Sequence, residues 1–165
     1  SLLRGRLARG SYLAVECNGV DLAGGNLEGA DFGYGVRNGV SLDGNTVVLA
    51  VPSQLARSDL SRVSAKDANF TMTILIASKL DHGTFDGSSF RLARLSGARL
   101  CGGSFRGCEF GGASMQDAQL CGADLREARL DGAVLDGATS DAATRWPTGF
   151  DSAEANVNEG VCFCE

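Results

Sequence analysis

Residues 91–135 read RLARL SGARL CGGSF RGCEF GGASM QDAQL CGADL REARL DGAVL. Each group of five ends on a large apolar residue: Leu95, Leu100, Phe105, Phe110, Met115, Leu120, Leu125, Leu130 and Leu135. The same register extends back through Phe90, Phe85, Leu80, Leu75, Phe70, Ala65 and Leu60 to Leu55, so that 15 of 17 positions are Leu or Phe. A chain with 19 Leu and 8 Phe would place about three there by chance. Two residues before each large residue runs a series of small or β-branched ones, from Ser53, Ser58 and Val63 to Ala123, Ala128 and Ala133. A period of five fits neither a helix at 3.6 nor a strand at 2. The backbone must return the same side chain inward once per pentapeptide, so each pentapeptide has to contain a turn. Glycine two residues after the large residue, as at Gly97 and Gly107, suits that turn.

Composition agrees. Glycine reaches 23 of 165 residues, about twice its usual share, and a helical bundle would lose roughly 1 kcal/mol for each one placed in a helix interior. The length suits one domain with a real core. The single histidine removes most His-based catalysis and metal binding. A net charge of −5 excludes a nucleic-acid binder driven by overall positive charge. The acid excess is confined to residues 131–165, where seven carboxylates face Arg145 alone. No apolar run approaches the 18 or so residues of a membrane span. A start at Ser1, with no initiator Met, is read as a processed one.

At this point the chain resembles the pentapeptide-repeat family, whose pattern is A(D/N)LXX. Ala123-Asp124-Leu125-Arg126-Glu127 matches it outright, and Ala30-Asp31-Phe32 and Ala68-Asn69-Phe70 match its first three positions. The resemblance implies an all-β fold: a right-handed quadrilateral parallel β-helix, a solenoid of about six coils stacked at roughly 4.8 Å, closed by a short C-terminal cap. Residues 1–140 are expected to form the β-helix and 141–165 the capping segment and tail.

The N-terminal part carries a different phase: Leu2, Leu7, Tyr12, Cys17, Leu22, Leu27, Phe32, Arg37, Leu42, Val47. The change of phase is read as a loop at 43–54, where Asp43-Gly44-Asn45 is a turn signal and Pro52 cannot donate to a ladder. Arg37 breaks the apolar series, which suggests that distortion begins earlier. Residues 138–150, ATSDAATRWPTGF, resemble the closing segment of cyanobacterial and chloroplast members through Thr144, Pro147, Gly149, Phe150 and Asp151, with Ser140 in place of the usual Tyr. Trp146, Pro147 and Phe150 are the expected cap.

Cys101 and Cys121 each follow an inward leucine and lie one 20-residue coil apart, so stacked coils set their Cα atoms roughly 5 Å apart, inside the disulfide window. They are the expected disulfide pair. Cys17 and Cys108 read as buried apolar fillers. In the tail, Cys162 and Cys164 fit a disulfide to the body or to a partner better than a metal site, which needs further ligands. His82 beside Asp81 is read as surface, since a filled rod offers no cleft for a dyad. Outward Asp124, Asp131 and Asp136 read as a solvated face, and Gly102-Gly103 and Gly111-Gly112 follow the turn lattice, with no helix after them to bind phosphate. No catalytic, metal or cofactor site is expected. One feature exceeds a solvated rod: Met72, Ile74 and Ile76 fall on outer positions, and the phase break adds Val47, Val48, Leu49 and Val51. This apolar set is expected either to dock a partner or to fold over its own coil.

These readings favour a non-catalytic scaffold, or docking subunit, that binds other protein subunits and no nucleic acid. The closing segment implies a chloroplast setting and, with paired cysteines and a processed start, the thylakoid lumen, peripheral to a photosynthetic membrane complex. The competing reading is an acidic rod that mimics DNA and inhibits a topoisomerase, as some bacterial members of the family do. It needs carboxylates along the coils, whereas residues 1–130 hold 14 basic and 13 acidic groups.

Overall fold

The computed structural model describes residues 9–13, 15–40, 46–160 and 164, with backbone alone for 36–40 and 46–50. Each pentapeptide supplies one turn and one ladder rung. The carbonyl of the large inward residue accepts the amide three residues on, as Leu95 O does from Ala98 N and Phe110 O from Ala113 N, both at 2.9 Å. The third turn residue has positive φ, 65° at Gly97 and 64° at Gly107, which is the type II pattern. Between the turns the chain is extended and pairs with the coils above and below. Thus Leu95 N donates to Ser114 O (2.7 Å) and Ser114 N to Ala93 O (2.9 Å).

Four turns close a coil, because the bridges join residues 20 apart, and the bridges form four parallel ladders. The first face runs through Ser11, Asp31, Asn69, Ser89, Glu109 and Arg129. The second runs through Glu16, Gln54, Ile74, Arg94, Ser114 and Val134. The third holds Asp21, Asp59, Lys79, Arg99, Gln119 and Thr139, and the fourth Asn26, Ser64, Thr84, Ser104, Asp124 and Arg145. This is the expected quadrilateral parallel β-helix, all-β.

The inward residues fill the interior as columns. Tyr12, Phe32, Phe70, Phe90 and Phe110 stack behind the first face at centroid spacings of 5.0–5.5 Å. Phe85 and Phe105 stack behind the fourth at 5.0 Å and meet the first column edge-on at about 6 Å. Room for that second pair comes from the small series: a Cβ on Gly103 would lie 2.6 Å from Phe105 Cε2. Leucines and Met115 fill the other two columns, all fully buried from Leu55 to Leu120. Where the small position is polar, its hydroxyl bonds a turn carbonyl of the coil below: Ser78 Oγ to Leu55 O (2.7 Å), Ser88 Oγ to Ala65 O (2.6 Å), Thr73 Oγ1 to Phe32 O (2.7 Å). Hence these buried hydroxyls carry no unmet polar group.

The phase break is a β-hairpin, not the expected loop at 43–54. Strand β1 (Gly35–Val40) pairs antiparallel with β2 (Thr46–Val51), Gly35 opposite Val51 and Val40 opposite Thr46. It leaves the coil eight residues earlier than the turn signal suggested, and Arg37 lies in β1 rather than in a coil. Residues 41–45, with Leu42 and the Asp43-Gly44-Asn45 signal, lie outside the described residues, as do Leu2 and Leu7. Across the hairpin the bridges join residues 38 apart instead of 20, so 18 residues are inserted. Eighteen leaves a remainder of three on division by five, which turns phase two into phase zero.

At the C-terminal end, Asp124 bridges to Arg145, 21 residues on, so one extra residue enters the last coil. The Asp141 carboxylate gathers that segment, accepting amides from Gly122 (2.8 Å), Ala143 (3.1 Å) and Thr144 (3.0 Å). Burial opposes its ionisation, but these amides and the Thr144 hydroxyl together hold its pKa below the ordinary value. Trp146 and Phe150 stack at 4.8 Å and pack, half-buried, on the core, and Pro147 O accepts Phe150 N (3.1 Å). Strand β3 (Thr139–Ser140) then pairs in parallel with β4 (Asn158–Glu159).

Replacing Phe105 by Ala should cost about 3–5 kcal/mol, since it opens one column and removes the edge contact to the other. Ala118→Leu should also destabilise, by overpacking a narrow position. Ala77→Gly, at a turn residue with φ of 55°, should instead stabilise by several tenths of a kcal/mol to about 1 kcal/mol. Urea unfolding of the three variants checks the signs.

Acid sensitivity follows from Asp124, which accepts Arg126 Nε (2.8 Å) and Nη2 (2.6 Å) and has its pKa lowered to about 2, chiefly by those side-chain hydrogen bonds. A depressed carboxyl pKa stabilises the fold fully above the unfolded value near 4, and the contribution is lost as pH falls towards 2. The melting difference between the parent chain and Asp124→Asn should therefore be constant from pH 7 to 5 and shrink between pH 4 and 2.

Candidate functional site

A rod with a filled interior has only its faces, corners and ends to offer. The outer residues follow from the lattice: the residue before each large one sits mid-face, and the two after it form the corner. His82 is a third turn residue with φ of 56°, exposed on the corner between the third and fourth faces. Its neighbour Asp81 is committed elsewhere, 3.0 Å from Arg99 Nη2 and accepting the Cys101 amide at 3.0 Å. The two do not form a dyad. Asp124, Asp131 and Asp136 fall on a face and two different corners, where Asp124 pairs with Arg126 and Asp136 accepts Asn156 Nδ2 (2.9 Å). Gly102 and Gly112 are positive-φ turn residues. Among the described residues, no cluster of three His, Cys, Asp or Glu side chains is placed to hold a metal ion.

The expected apolar set is spread across the second face. Ile74 is mid-face between Gln54 and Arg94. Met72 lies on the corner before it, and Ile76 on the corner after, in a groove with Asn18, Gly19, Ala56 and Arg57. Met72, Ile74, Ile76 and Val51 are all half-buried. The side chains of Val47, Val48 and Leu49 lie outside the described residues, and their backbone forms β2.

The stronger apolar feature was not read from the sequence. Leu13 (45% exposed), Tyr34 (43%) and Leu92 (57%) share the corner between the first and second faces with Met72. Tyr34, Met72 and Leu92 occupy the same lattice position in successive coils. Met72 and Leu92 are also forced into left-handed backbone, φ 60° and 56°, at a place where glycine would be unstrained. Leu92 lies over the next coil, its Cδ2 2.8 Å from where a Cβ on Gly112 would be. The hairpin departs at Gly35, immediately after Tyr34, so the apolar corner and the hairpin base adjoin.

On the diagonally opposite corner the cysteines correct the expected pairing. Cys101 is bonded to Cys164, with Cα atoms 6.0 Å apart, and Cys121 is itself disulfide-bonded, but not to Cys101. In-register stacking brings Cys101 and Cys121 close but points their Cα–Cβ bonds in parallel, whereas a disulfide needs them to converge. The tail supplies a converging partner, as the CxC reading allowed; Cys162 lies outside the described residues. Cys108 is fully buried, donates its thiol to Phe85 O (2.9 Å), and has its pKa pushed up to about 12 by that burial. Cys17 is half-buried against the core rather than enclosed.

The sequence of residues 74–139 matches the family model for pentapeptide repeats, in eight copies. A search of curated proteins found no significant match. Among solved structures, the chain is similar to a pentapeptide-repeat protein, Rfr23, of the cyanobacterium Cyanothece 51142. The two are 26% identical with a TM-score of 0.64, over 82% of this chain and 90% of that one. It is also similar to HetL of Nostoc sp. strain PCC 7120, a protein involved in heterocyst differentiation regulation. Here the identity is 26% and the TM-score 0.65, over 83% of this chain and 56% of HetL. A pentapeptide-repeat protein of the Arabidopsis thaliana thylakoid lumen shares the fold at 20% identity and a TM-score of 0.58, over 71% of this chain and 69% of that one. With the five-residue lattice, the type II corners and the four ladders, these likenesses show that the chain is a right-handed quadrilateral β-helix of the pentapeptide-repeat family.

Proposed function

We propose that this protein is a non-catalytic docking subunit whose partner surface is the apolar corner formed by Leu13, Tyr34, Met72 and Leu92, continued by the hairpin. The observation that carries the proposal is the strain at Met72 and Leu92. A large apolar side chain held in left-handed backbone on an exposed corner costs stability and contributes little burial. An interface gives such a side chain its use, since exposed apolar stripes on soluble proteins mark partner sites. The hairpin extends the surface with TVVLAV, an uncharged strand of high β propensity. Ile74 and Ile76 form its further flank.

The setting we propose is the thylakoid lumen, peripheral to a photosynthetic membrane complex. The closing segment favours it, a disulfide-bonded chain suits an oxidising compartment, and the fold occurs in a lumenal protein of Arabidopsis thaliana. The acidic-rod reading is disfavoured by the faces and corners themselves. Their carboxylates are interleaved with arginine and lysine and paired along the stack, as in Lys79–Asp59, Arg99–Asp81 and Arg106–Glu127.

Leu92→Gly separates docking from folding, because it relieves backbone strain while removing the exposed side chain. Its melting temperature should rise, by about 2–4 °C for a gain near 1 kcal/mol. Its capture of photosynthetic membrane subunits from the source cell should fall at least about tenfold, the loss of one interface anchor. A variant that melts higher and captures the same subunits equally well would remove this corner from the interface. A topoisomerase captured by the parent chain would instead establish the acidic-rod reading.

A further inference from the structure

The corner between the first and second faces changes character half-way along the rod. Its second position runs Tyr34, Met72, Leu92, Gly112, Gly132 in successive coils, three large side chains and then bare backbone. Leu92 leans from the large half over Gly112. The first position runs Gly33, Thr71, Arg91, Gly111, Asp131 in the same coils. Gly111 and Gly112 thus floor an open notch, walled by Arg91 and Leu92 on one side and by Arg129 and Asp131 on the other, with Glu109 beside it. The ion pairs around it are long and exposed, Arg91 Nη1 to Glu109 Oε2 at 3.9 Å and Arg129 Nε to Asp131 Oδ2 at 3.8 Å. Each guanidinium therefore keeps donors for a further acceptor. The Gly111 amide meets no acceptor among the described residues.

We infer that a second copy of this chain covers the notch, packed antiparallel about a two-fold axis through Gly112. The inference rests on the docking reading of this corner and names its occupant. An antiparallel two-fold sets each lattice column against itself in reverse order, so the coil before Gly112 faces the coil after it in the other copy. Arg91 then faces Asp131 of the second copy, and Asp131 faces the second copy's Arg91. Opposite charges meet twice. Leu92 lies on the bare backbone of Gly112 and Gly132 in the other copy, and the two Leu92 side chains, each leaning towards the axis, meet there. Glu109 faces its own image, but it stands mid-face, back from the corner, 3.9 Å from its own Arg91. A parallel pair would instead set Tyr34, Met72 and Leu92 against themselves, leave Gly112 and Gly132 facing a gap, and bring no acid opposite a base. In the antiparallel pair Tyr34 and the hairpin base lie beyond the matched coils. They stay open to other subunits, and a pair offers two of them, so loss of pairing weakens capture through lost bivalence.

The test is sedimentation equilibrium of the full oxidised chain, with amide exchange read in parallel. The parent should pass from monomer to dimer between about 1 and 300 µM, as suits a corner contact smaller than a standard interface. Leu92→Gly and Asp131→Arg should each raise the dissociation constant at least about tenfold. Arg91→Asp combined with Asp131→Arg should recover most of the loss caused by Asp131→Arg, because it exchanges the two charges of each pair. The Gly111 amide should exchange at least about tenfold slower in the dimer, while that of Ser96, equally unbonded but on another corner, keeps its rate. A parent that stays monomeric at about 300 µM overturns the inference. So does a dimer indifferent to Leu92→Gly and Asp131→Arg, or a double exchange no better than Asp131→Arg alone. Capture of photosynthetic membrane subunits separates the pair from the docking reading. A monomeric parent whose capture falls with Leu92→Gly overturns the pair and keeps the docking surface. A dimer lost in Leu92→Gly with capture unchanged supports the pair and sinks the docking surface.

Discussion

The structure depends on one backbone event repeated every five residues, the type II turn whose third residue takes positive φ. Four such turns close a coil, and closure places every large side chain inside and every ladder amide in register with the coil above. The event is strained in nine non-glycine residues between Arg57 and Glu127. Two returns outweigh that strain. Ladder hydrogen bonds of 2.6–3.1 Å run unbroken through the stack, and the phenylalanine and leucine columns are fully dry. Neither exists without the other: a column is continuous only if the ladders hold each coil directly above the last.

The same constraint explains what was legible in the sequence. From Leu55 to Leu135 one lattice gives the fold, the inward residues and the corners, because a buried column tolerates little besides Leu, Phe or Met. The hairpin was hidden because a strand of small and β-branched residues imitates the lattice for a few steps. Gly35, Val40 and Val47 fit the small and large series while belonging to β1 and β2, and Arg37 alone betrays them. The apolar corner was hidden by the same insertion, since its 18 residues separate Tyr34 from Met72 and the column cannot be seen until they are removed. The disulfide pairing was half legible. Coil spacing reports the distance between Cys101 and Cys121 but not the direction of their side chains, and direction decided.

The end of the rod shows the lattice yielding. Ser140 occupies an inward position that leucine holds in the coils below, at Leu120 and Leu100. It is 1% exposed, and its hydroxyl finds no partner among the described residues. A small polar residue there leaves the column short by most of a side chain, so the terminal coil has less to hold it than those beneath. Other contacts take over: the Asp141 clasp on Gly122, Ala143 and Thr144, the Trp146–Phe150 stack and the tether at Cys101.

The two outer features of interest lie on diagonally opposite corners, and this bears on how they can act. The apolar corner stands between the first and second faces, the tethered tail between the third and fourth, with the dry core between them. A partner seated on Leu92 and Met72 therefore does not contact Cys164 or the groove around it. Signals do not pass easily between such sites, because each coil is filled to its walls and a solenoid transmits change only through its neighbours. A substitution confined to one of these corners should therefore leave the other in place.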